Sequence, residues 1–145
     1  MKVIFDANNL AHICWNVACK SSTEQIRQIM TFYFFKQVFK FAKKFNTSEL
    51  IFCWDSLKSK RRLIYPDYKA NRGVKDERHD FFKEIDAIKT KYLPTLGFNS
   101  FVQSGYEADD LIAKICIECN DNPLEKIVIC SNDKDLYQCL TPNLS

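Results

Sequence analysis

Short apolar runs that end in an aspartate constrain the fold of this chain more than any other feature. The run from Lys2 to Phe5 ends at Asp6, and the run from Leu50 to Trp54 ends at Asp55. Continuous apolar runs of this length are typical of strands buried on both faces, as in parallel sheets. Two later stretches, one before Gly105 and one before Ser131, are also predicted as strands. The sequence therefore predicts four strands, of which the first two carry a carboxylate at their C-terminal end.

Amphipathic segments separate these strands. Apolar residues recur at helical spacing from Ile26 to Phe45, after a capping box that starts at Ser21. A second helix is predicted from Asp76 to Leu93, with Pro94 as its stop, and a third opens after Gly105. Alternating strands and helices predict an α/β fold, in which helices flank a parallel sheet with right-handed crossovers. The whole chain, residues 1–145, is expected to form one such domain.

The densest group of acids opens the third helix. Glu107 and Asp110 are three residues apart and share a helical face, and Asp109 lies on the neighbouring flank. Like charges repel one another there, and a hard divalent cation removes that penalty because it prefers oxygen ligands. A purely structural interpretation is a capping box of Ser104 and Glu107, with the acids favoured by the helix dipole.

The predicted fold brings this helix to the strand-end aspartates. In an open α/β sheet, sites form outside the carboxyl ends of the strands, where the first turn of the acidic helix also lies. Four segments thus deliver seven carboxylates to one edge, namely Asp6, Asp55, Glu107, Asp109, Asp110, Asp133 and Asp135. Two divalent ions about 4 Å apart, Mg²⁺ or Mn²⁺, would neutralise this cluster and could catalyse phosphodiester hydrolysis. No Cys/His set has zinc spacing and no P-loop is present, which argues against zinc and against a nucleotide cofactor.

The rest of the sequence is basic, although the formal net charge is only +3. Without the seven acids of the predicted site, 11 acidic residues stand against 21 basic ones, a net charge of +10. A basic body around an acidic pocket suits a polyanionic substrate whose phosphates meet metal ions.

Basic residues concentrate between positions 56 and 78, and Tyr65 and Tyr68 lie among them. Cations that bind phosphates and rings that stack on bases are typical of grooves for single-stranded nucleic acid. The basic residues expected to contact nucleic acid are Lys58, Lys60, Arg61, Arg62, Lys69, Arg72 and Lys75. A solvated basic loop is the alternative interpretation.

Cysteine usage and hydropathy indicate a cytoplasmic chain without a membrane partner. The seven cysteines are an odd number and follow no secretory signal, which is typical of a reducing compartment. Cys116 and Cys119 lie within a helical pattern and are expected to be small core residues rather than metal ligands. No apolar run approaches the roughly 20 residues of a membrane span.

Three segments of the sequence resemble the 5′-nuclease superfamily. They run from Tyr65 to Arg72, from Glu107 to Asp110 and from Ser131 to Leu136, and Asp6 and Asp55 match the first two acids of that superfamily. The superfamily includes the flap endonucleases, the 5′–3′ exonuclease domain of bacterial DNA polymerase I and related phage exonucleases. The resemblance covers almost the whole chain, and its motifs occur in the family's order.

The resemblance implies a PIN-like α/β core that cuts DNA at 5′ ends, flaps or RNA/DNA primers with two Mg²⁺ or Mn²⁺ ions, in a bacterial or phage-infected cell. It implies that Lys69 and Arg72 hold the scissile phosphate and act in catalysis with Asp6 and Asp55, while Tyr68 stacks on a base. It further implies two sets of metal ligands. The first ion is served mainly by Asp6, Asp55, Glu107, Asp109 and Asp110, and the second by Asp133 and Asp135.

Family members also contain elements that are not found in this sequence. They continue with a helix-three-turn-helix that grips duplex DNA and with a further Gly-Asp-x-x-Asp acid pair for the second metal. The usual glycine of the fourth-strand motif is Asn132 here. The chain is therefore expected to be incomplete as a nuclease alone and to need a second polypeptide. The alternatives are a metal- and nucleic-acid-binding module without catalysis, and a PIN-type ribonuclease.

Overall fold

The computed structural model describes residues 1–21, 24–56, 79–120, 122 and 124–140. The strands are β1 (Lys2–Asp6), β2 (Leu50–Trp54), β3 (Asn99–Val102) and β4 (Ile127–Cys130). The α-helices are α1 (Ala7–Ser21), α2 (Ile26–Phe45), α3 (His79–Ala87) and α4 (Ala108–Asn120). A π-helical turn (Ile88–Tyr92) and a last α-helical turn (Leu93–Thr95) continue α3, and a 3₁₀ helix (Lys134–Cys139) follows β4.

The four strands of the described residues form one parallel sheet in the order β3-β2-β1-β4. In the centre, Phe5 of β1 lies opposite Phe52 of β2 and opposite Cys130 of β4. All three strand pairs are parallel, which confirms the predicted α/β fold and directs every strand towards the same edge. No helix in the described part of the chain is both long enough and apolar enough to cross a membrane.

Side chains alternate between two cores, one on each face of the sheet. The first core contains Val3, Phe5, Phe52 and Trp54 from the strands, against residues of α1, α2 and α3. The second core contains Ile4 and Cys53 from the same strands, with apolar residues of α4 and the 3₁₀ helix. This period of two places consecutive strand residues on opposite faces. Both faces are covered, as expected for a parallel sheet.

The first two helices differ from the sequence pattern. Residues 8–12 lie within the 15-residue helix α1, a helix that the apolar spacing did not predict. Ser21 was expected to start a capping box, but it ends α1, and its hydroxyl donates a hydrogen bond to Val17 O at 3.0 Å. The residue that precedes α2 is Gln25, whose side chain forms no cap. Burial explains the long α1, because Ala11, Cys14 and Ala18 pack against α2 and the sheet at helical spacing.

The segment that follows α3 also departs from the sequence pattern. Pro94 was expected to stop the helix, but it lies in the first turn of the segment that ends at Thr95. The helix continues past Pro94 by only one residue, because proline lacks the N–H and its ring crowds the preceding turn. Gly97, at φ 73°, then turns the chain towards β3. Residues 76–78 of the predicted helix lie outside the described residues, so the structure gives α3 only from His79.

Candidate metal centre

Asp6 lies at the carboxyl edge of the sheet, where it joins β1 to the segment after β4. It is the last residue of β1, and its Oδ1 accepts a hydrogen bond from Asn9 N at 3.1 Å. Its Oδ2 accepts from the hydroxyl of Ser131 at 2.8 Å. The parallel pairing of β1 and β4 makes this contact possible across 125 positions of sequence.

The carboxyl group of Asp6 is buried at an acidic position. Its residue is 7% exposed, and this burial raises the pKa of Asp6 above its usual range. The hydrogen bonds from Asn9 and Ser131 act in the opposite direction, while the negative charges of Asp55 and Asp133 raise the pKa further. Asp55 and Asp133 therefore act electrostatically on Asp6, and a cation placed here would reverse this penalty.

Asp55 connects the end of β2 to the start of α4. Its Oδ1 accepts a hydrogen bond from Ala108 N, the first residue of α4, at 2.8 Å. Its own N–H donates to Asn8 Oδ1, also at 2.8 Å. The N-terminal end of a helix carries positive partial charge, so Asp55 both caps α4 and brings its first turn to the sheet edge.

Three of the seven acids lie at the start of α4, with Glu107 just before the helix and Asp109 and Asp110 in its first turn. Glu107 is 8% exposed, and its N–H donates to Asp110 Oδ2 at 3.0 Å. Asp110 N donates in turn to Asp109 Oδ1 at 2.9 Å. In the alternative interpretation, a capping box, Glu107 N would donate to the Ser104 hydroxyl, but it donates to Asp110. Asp110 and Asp55 accept the terminal N–H groups instead.

Asp133 and Asp135 follow β4 and are exposed. Asp133 N donates to the Ser131 hydroxyl oxygen at 3.0 Å, and Asp133 Oδ1 caps the 3₁₀ helix by accepting from Asp135 N at 2.9 Å. Asp135 and Asp109 line one open cleft together with Lys134 and Gln138. Ser131, which binds both Asp6 and the loop at Asp133, thus links the last two acids to the sheet edge.

These contacts place the seven predicted acids along one edge, but not as a closed ligand set. Within the described residues, no three His, Cys, Asp or Glu side chains could hold one ion in this conformation. Five of the seven carboxylates each direct one oxygen to a backbone N–H, namely Asp6, Asp55, Asp109, Asp110 and Asp133. The donor chemistry, all carboxylate oxygen, fits a hard divalent ion. Mutual repulsion opposes closer approach of these groups without a counter-ion.

Three residues that hydrogen-bond at this edge were not predicted as site residues. Asn8, Asn9 and Ser131 contribute no charge, yet they orient Asp55, Asp6 and the loop after β4. The sequence signal for the asparagines was their position two and three residues after the strand-end Asp6. Ser131 is the first residue after β4. Such outer partners commonly fix the orientation of acidic ligands.

The predicted nucleic-acid residues lie outside the described residues. This applies to Tyr68, Lys69 and Arg72. It also applies to the remaining basic residues of the segment, Lys58, Lys60, Arg61, Arg62 and Lys75. The described chain stops at Ser56, whose N–H donates to Tyr106 O at 3.0 Å, and resumes at His79.

The structure is that of an open parallel α/β domain with acids at the carboxyl ends of its strands. In proteins of this class, the functional site lies at that edge of the sheet. A family model described as "5'-3' exonuclease, N-terminal resolvase-like domain" matches residues 1–145. The chain belongs to this family.

Relatives in sequence agree with the family match. The chain is 31% identical over 144 residues to a 5′-3′ exonuclease of Mycoplasmopsis pulmonis (strain UAB CTIP), covering 98% of this chain and 46% of that protein. It is 37% identical over 84 residues to the flap endonuclease Xni of Vibrio campbellii (strain ATCC BAA-1116), covering 58% of this chain and 31% of that protein. The chain thus spans about half, or less, of the length of these relatives.

The fold is shared with a solved structure. The T5 D15 protein co-crystallized with metal ions superposes with a TM-score of 0.75 over 99% of this chain and 53% of that one, at 23% identity. This likeness confirms the fold, including the predicted PIN-like arrangement of a parallel sheet flanked by helices.

Proposed function

We propose that this chain carries the acidic centre of a metal-dependent 5′ nuclease that hydrolyses DNA phosphodiester bonds. The observation that carries the proposal is the meeting of Asp6, Asp55 and the first turn of α4 at one sheet edge. Its setting in the 5′-3′ exonuclease family supports this reading. A cluster of buried and half-buried carboxylates costs stability, and a bound divalent cation offsets that cost.

The ions proposed for the centre are Mg²⁺ or Mn²⁺. Asp6, Asp55, Glu107, Asp109 and Asp110 would hold the first ion, and Asp133 and Asp135 would contribute to the second. When bound, two such ions activate water and stabilise the charge that develops on the phosphoryl oxygens. The all-oxygen donor set favours these hard ions over softer ones.

The protein's own groups prepare this edge before any ion or substrate arrives. Asn9 and Ser131 hold both oxygens of Asp6, so its orientation is set by β1 and by the segment after β4. Ala108 N holds one oxygen of Asp55, which ties β2 to α4. Such pre-orientation lowers the cost of assembling a catalytic site. From the basic segment, Lys69 and Arg72 are proposed to hold the scissile phosphate, and Tyr68 to stack on a base.

The substrates proposed are DNA 5′ ends, flaps and RNA/DNA primers. The proposal includes a further segment of the protein, or a second polypeptide, that completes the second metal site. The test is incubation of the protein with a 5′-flap DNA, single-stranded DNA and single-stranded RNA, each with Mn²⁺, Mg²⁺ or EDTA. Flap cutting that needs the metal supports the proposal, whereas cutting of RNA alone favours a PIN-type ribonuclease. Salt-sensitive binding with no cutting in any lane favours a non-catalytic binding module.

A further inference from the structure

Lys89 lies in the π-helical turn that follows α3, next to the end of β2. Its Nζ is 5.3 Å from the centroid of the Trp54 ring, and Trp54 directly precedes Asp55. A π-helical turn adds one residue to the helix and is often found at functional sites. This turn contains one other lysine, Lys91, whose Nζ lies 5.7 Å from the ring centroid of Tyr92. Only Lys89 of these two is half-buried, whereas Lys91 is exposed.

The ring below Lys89 is immobilised by its surroundings. Trp54 is 0% exposed, stacks on Phe34 with ring centroids 6.1 Å apart, and donates its Nε1–H to the hydroxyl of Ser100 at 2.9 Å. A cation that rests on a fixed aromatic face has lost much of its side-chain freedom in advance. The ammonium group of Lys89 is therefore held in place before a ligand arrives.

The electrostatic setting of Lys89 joins it to the acidic edge. Burial lowers the pKa of Lys89, and the charges of Asp86 and Asp55 act in the opposite direction. The lysine thus stands in the field of a predicted metal ligand, Asp55. A half-buried cation is costly for a domain unless it meets an anion, and an incoming phosphate is an anion that this edge is proposed to receive.

We propose that Lys89 binds a backbone phosphate of the nucleic-acid strand that enters the acidic edge beside Asp55. This inference rests on the proposed function, and it assigns a contact from α3 in addition to those of the basic segment. A preplaced lysine contributes to affinity because less freedom is lost on binding. One phosphate contact also releases about one counter-ion, which makes the contact visible in the salt dependence of binding.

The test compares two lysines of the same helical turn. Lys89→Gln, Lys91→Gln and Lys89→Arg are measured for binding to a labelled 5′-flap DNA in EDTA, over a range of salt from about 50 to 200 mM. For Lys89→Gln we expect about tenfold weaker binding at low salt and a salt slope smaller by about one. Lys91→Gln should match the unchanged protein, and Lys89→Arg should retain the slope because it keeps the charge.

Thermal unfolding of each variant separates a binding role from a structural one. If Lys89→Gln lowers the melting temperature but keeps the salt slope of the unchanged protein, the inference is overturned and the lysine only supports the fold. An equal loss of slope in Lys91→Gln also overturns it, because it would show a diffuse charge effect. If the unchanged protein binds DNA but takes up no Mn²⁺, the proposed nuclease function fails while the comparison of slopes still decides the role of Lys89. If the unchanged protein shows no salt-sensitive binding, both proposals fall.

Discussion

The two faces of the sheet use the same strands for different purposes. On one face, large rings stack on each other, with Phe5 and Phe52 at a centroid distance of 5.0 Å and Phe34 beside Trp54. On the other face, the buried partners are smaller, such as Ile4, Cys53 and Ala108. The acids lie on this second face. Asp6 is two residues after Ile4 and so points to the same side of β1, and Asp55 accepts a hydrogen bond from the first residue of α4.

This difference indicates how the site depends on the fold. Burial of large aromatic side chains supplies most of the hydrophobic free energy, and it requires only apolar volume. Small side chains under α4 let that helix approach the sheet, so its first turn can reach the strand-end acids. A half-exposed ion pair also ties α2 to α3 on this face, since Arg27 Nε lies 2.8 Å from Oε2 of the buried Glu84. Changes on the first face should therefore alter stability, and changes at the edge of the second should alter metal binding.

The largest effect is expected from Phe34→Ala, which empties the centre of the aromatic face. Phe34 is 0% exposed, and such truncations cost about 3–5 kcal/mol of unfolding free energy. Urea denaturation measures this loss. The matched control is Phe32→Ala on the same helix, which is 62% exposed and should change stability by less than about 0.5 kcal/mol. Equal losses in the two variants would contradict the assignment of this face as the stabilising one.

Asp109→Asn should affect the edge and leave the fold intact. Asn keeps an oxygen that can accept the N–H of Asp110, so only the charge is removed. We expect about 100-fold weaker Mn²⁺ uptake and cleavage, equivalent to about 2.7 kcal/mol, with an unchanged melting temperature. Titration calorimetry measures the uptake. Glu118→Gln, at the other end of α4, is the control, and a similar loss there or an unchanged Asp109 variant would count against the metal assignment.

The pH dependence of stability tests the burial of Asp6. Its pKa is raised in the folded protein, so the folded state binds more protons than the unfolded state once pH exceeds about 4. Stability of the metal-free protein should therefore fall as pH rises from about 4 through the pKa of folded Asp6. Urea midpoints in EDTA should show this decline in the unchanged protein and a smaller one in Asp6→Asn. If stability instead rises with pH over this interval, and the rise disappears in Asp6→Asn, the prediction is contradicted.

The smallest effect is expected from Cys116→Ala in the core below α4. Cys116 is 3% exposed, and the variant removes only one buried sulfur atom, comparable with a methylene group worth about 0.8 kcal/mol. Metal uptake should not change, because the residue lies two turns beyond the acids of α4. Loss of uptake with normal stability would show that this cysteine belongs to the site. That result would make Cys116 a metal ligand, contrary to the expectation from the sequence.

The sequence predicted the sheet and its edge well, because both depend on local patterns. The bounds of β2 were predicted without error, and β1 extends by one residue to include Asp6. Helical spacing identified α2, and the inward positions Met30, Phe34 and Val38 are buried as expected. The start of α2 and the extent of α1 were missed, since their ends depend on which residues find partners on the sheet rather than on a capping motif.

By itself, the sequence determined that short apolar strands alternate with helices and that acids follow the strands. Both follow from the spacing of apolar residues along the chain, which differs between strands and helices. Only the tertiary structure decided which groups meet. Ser131 reaches Asp6, Asp55 reaches Ala108, and Lys89 rests on Trp54. These contacts depend on distances of a few ångströms between separately folded elements, which packing sets and which no local period encodes.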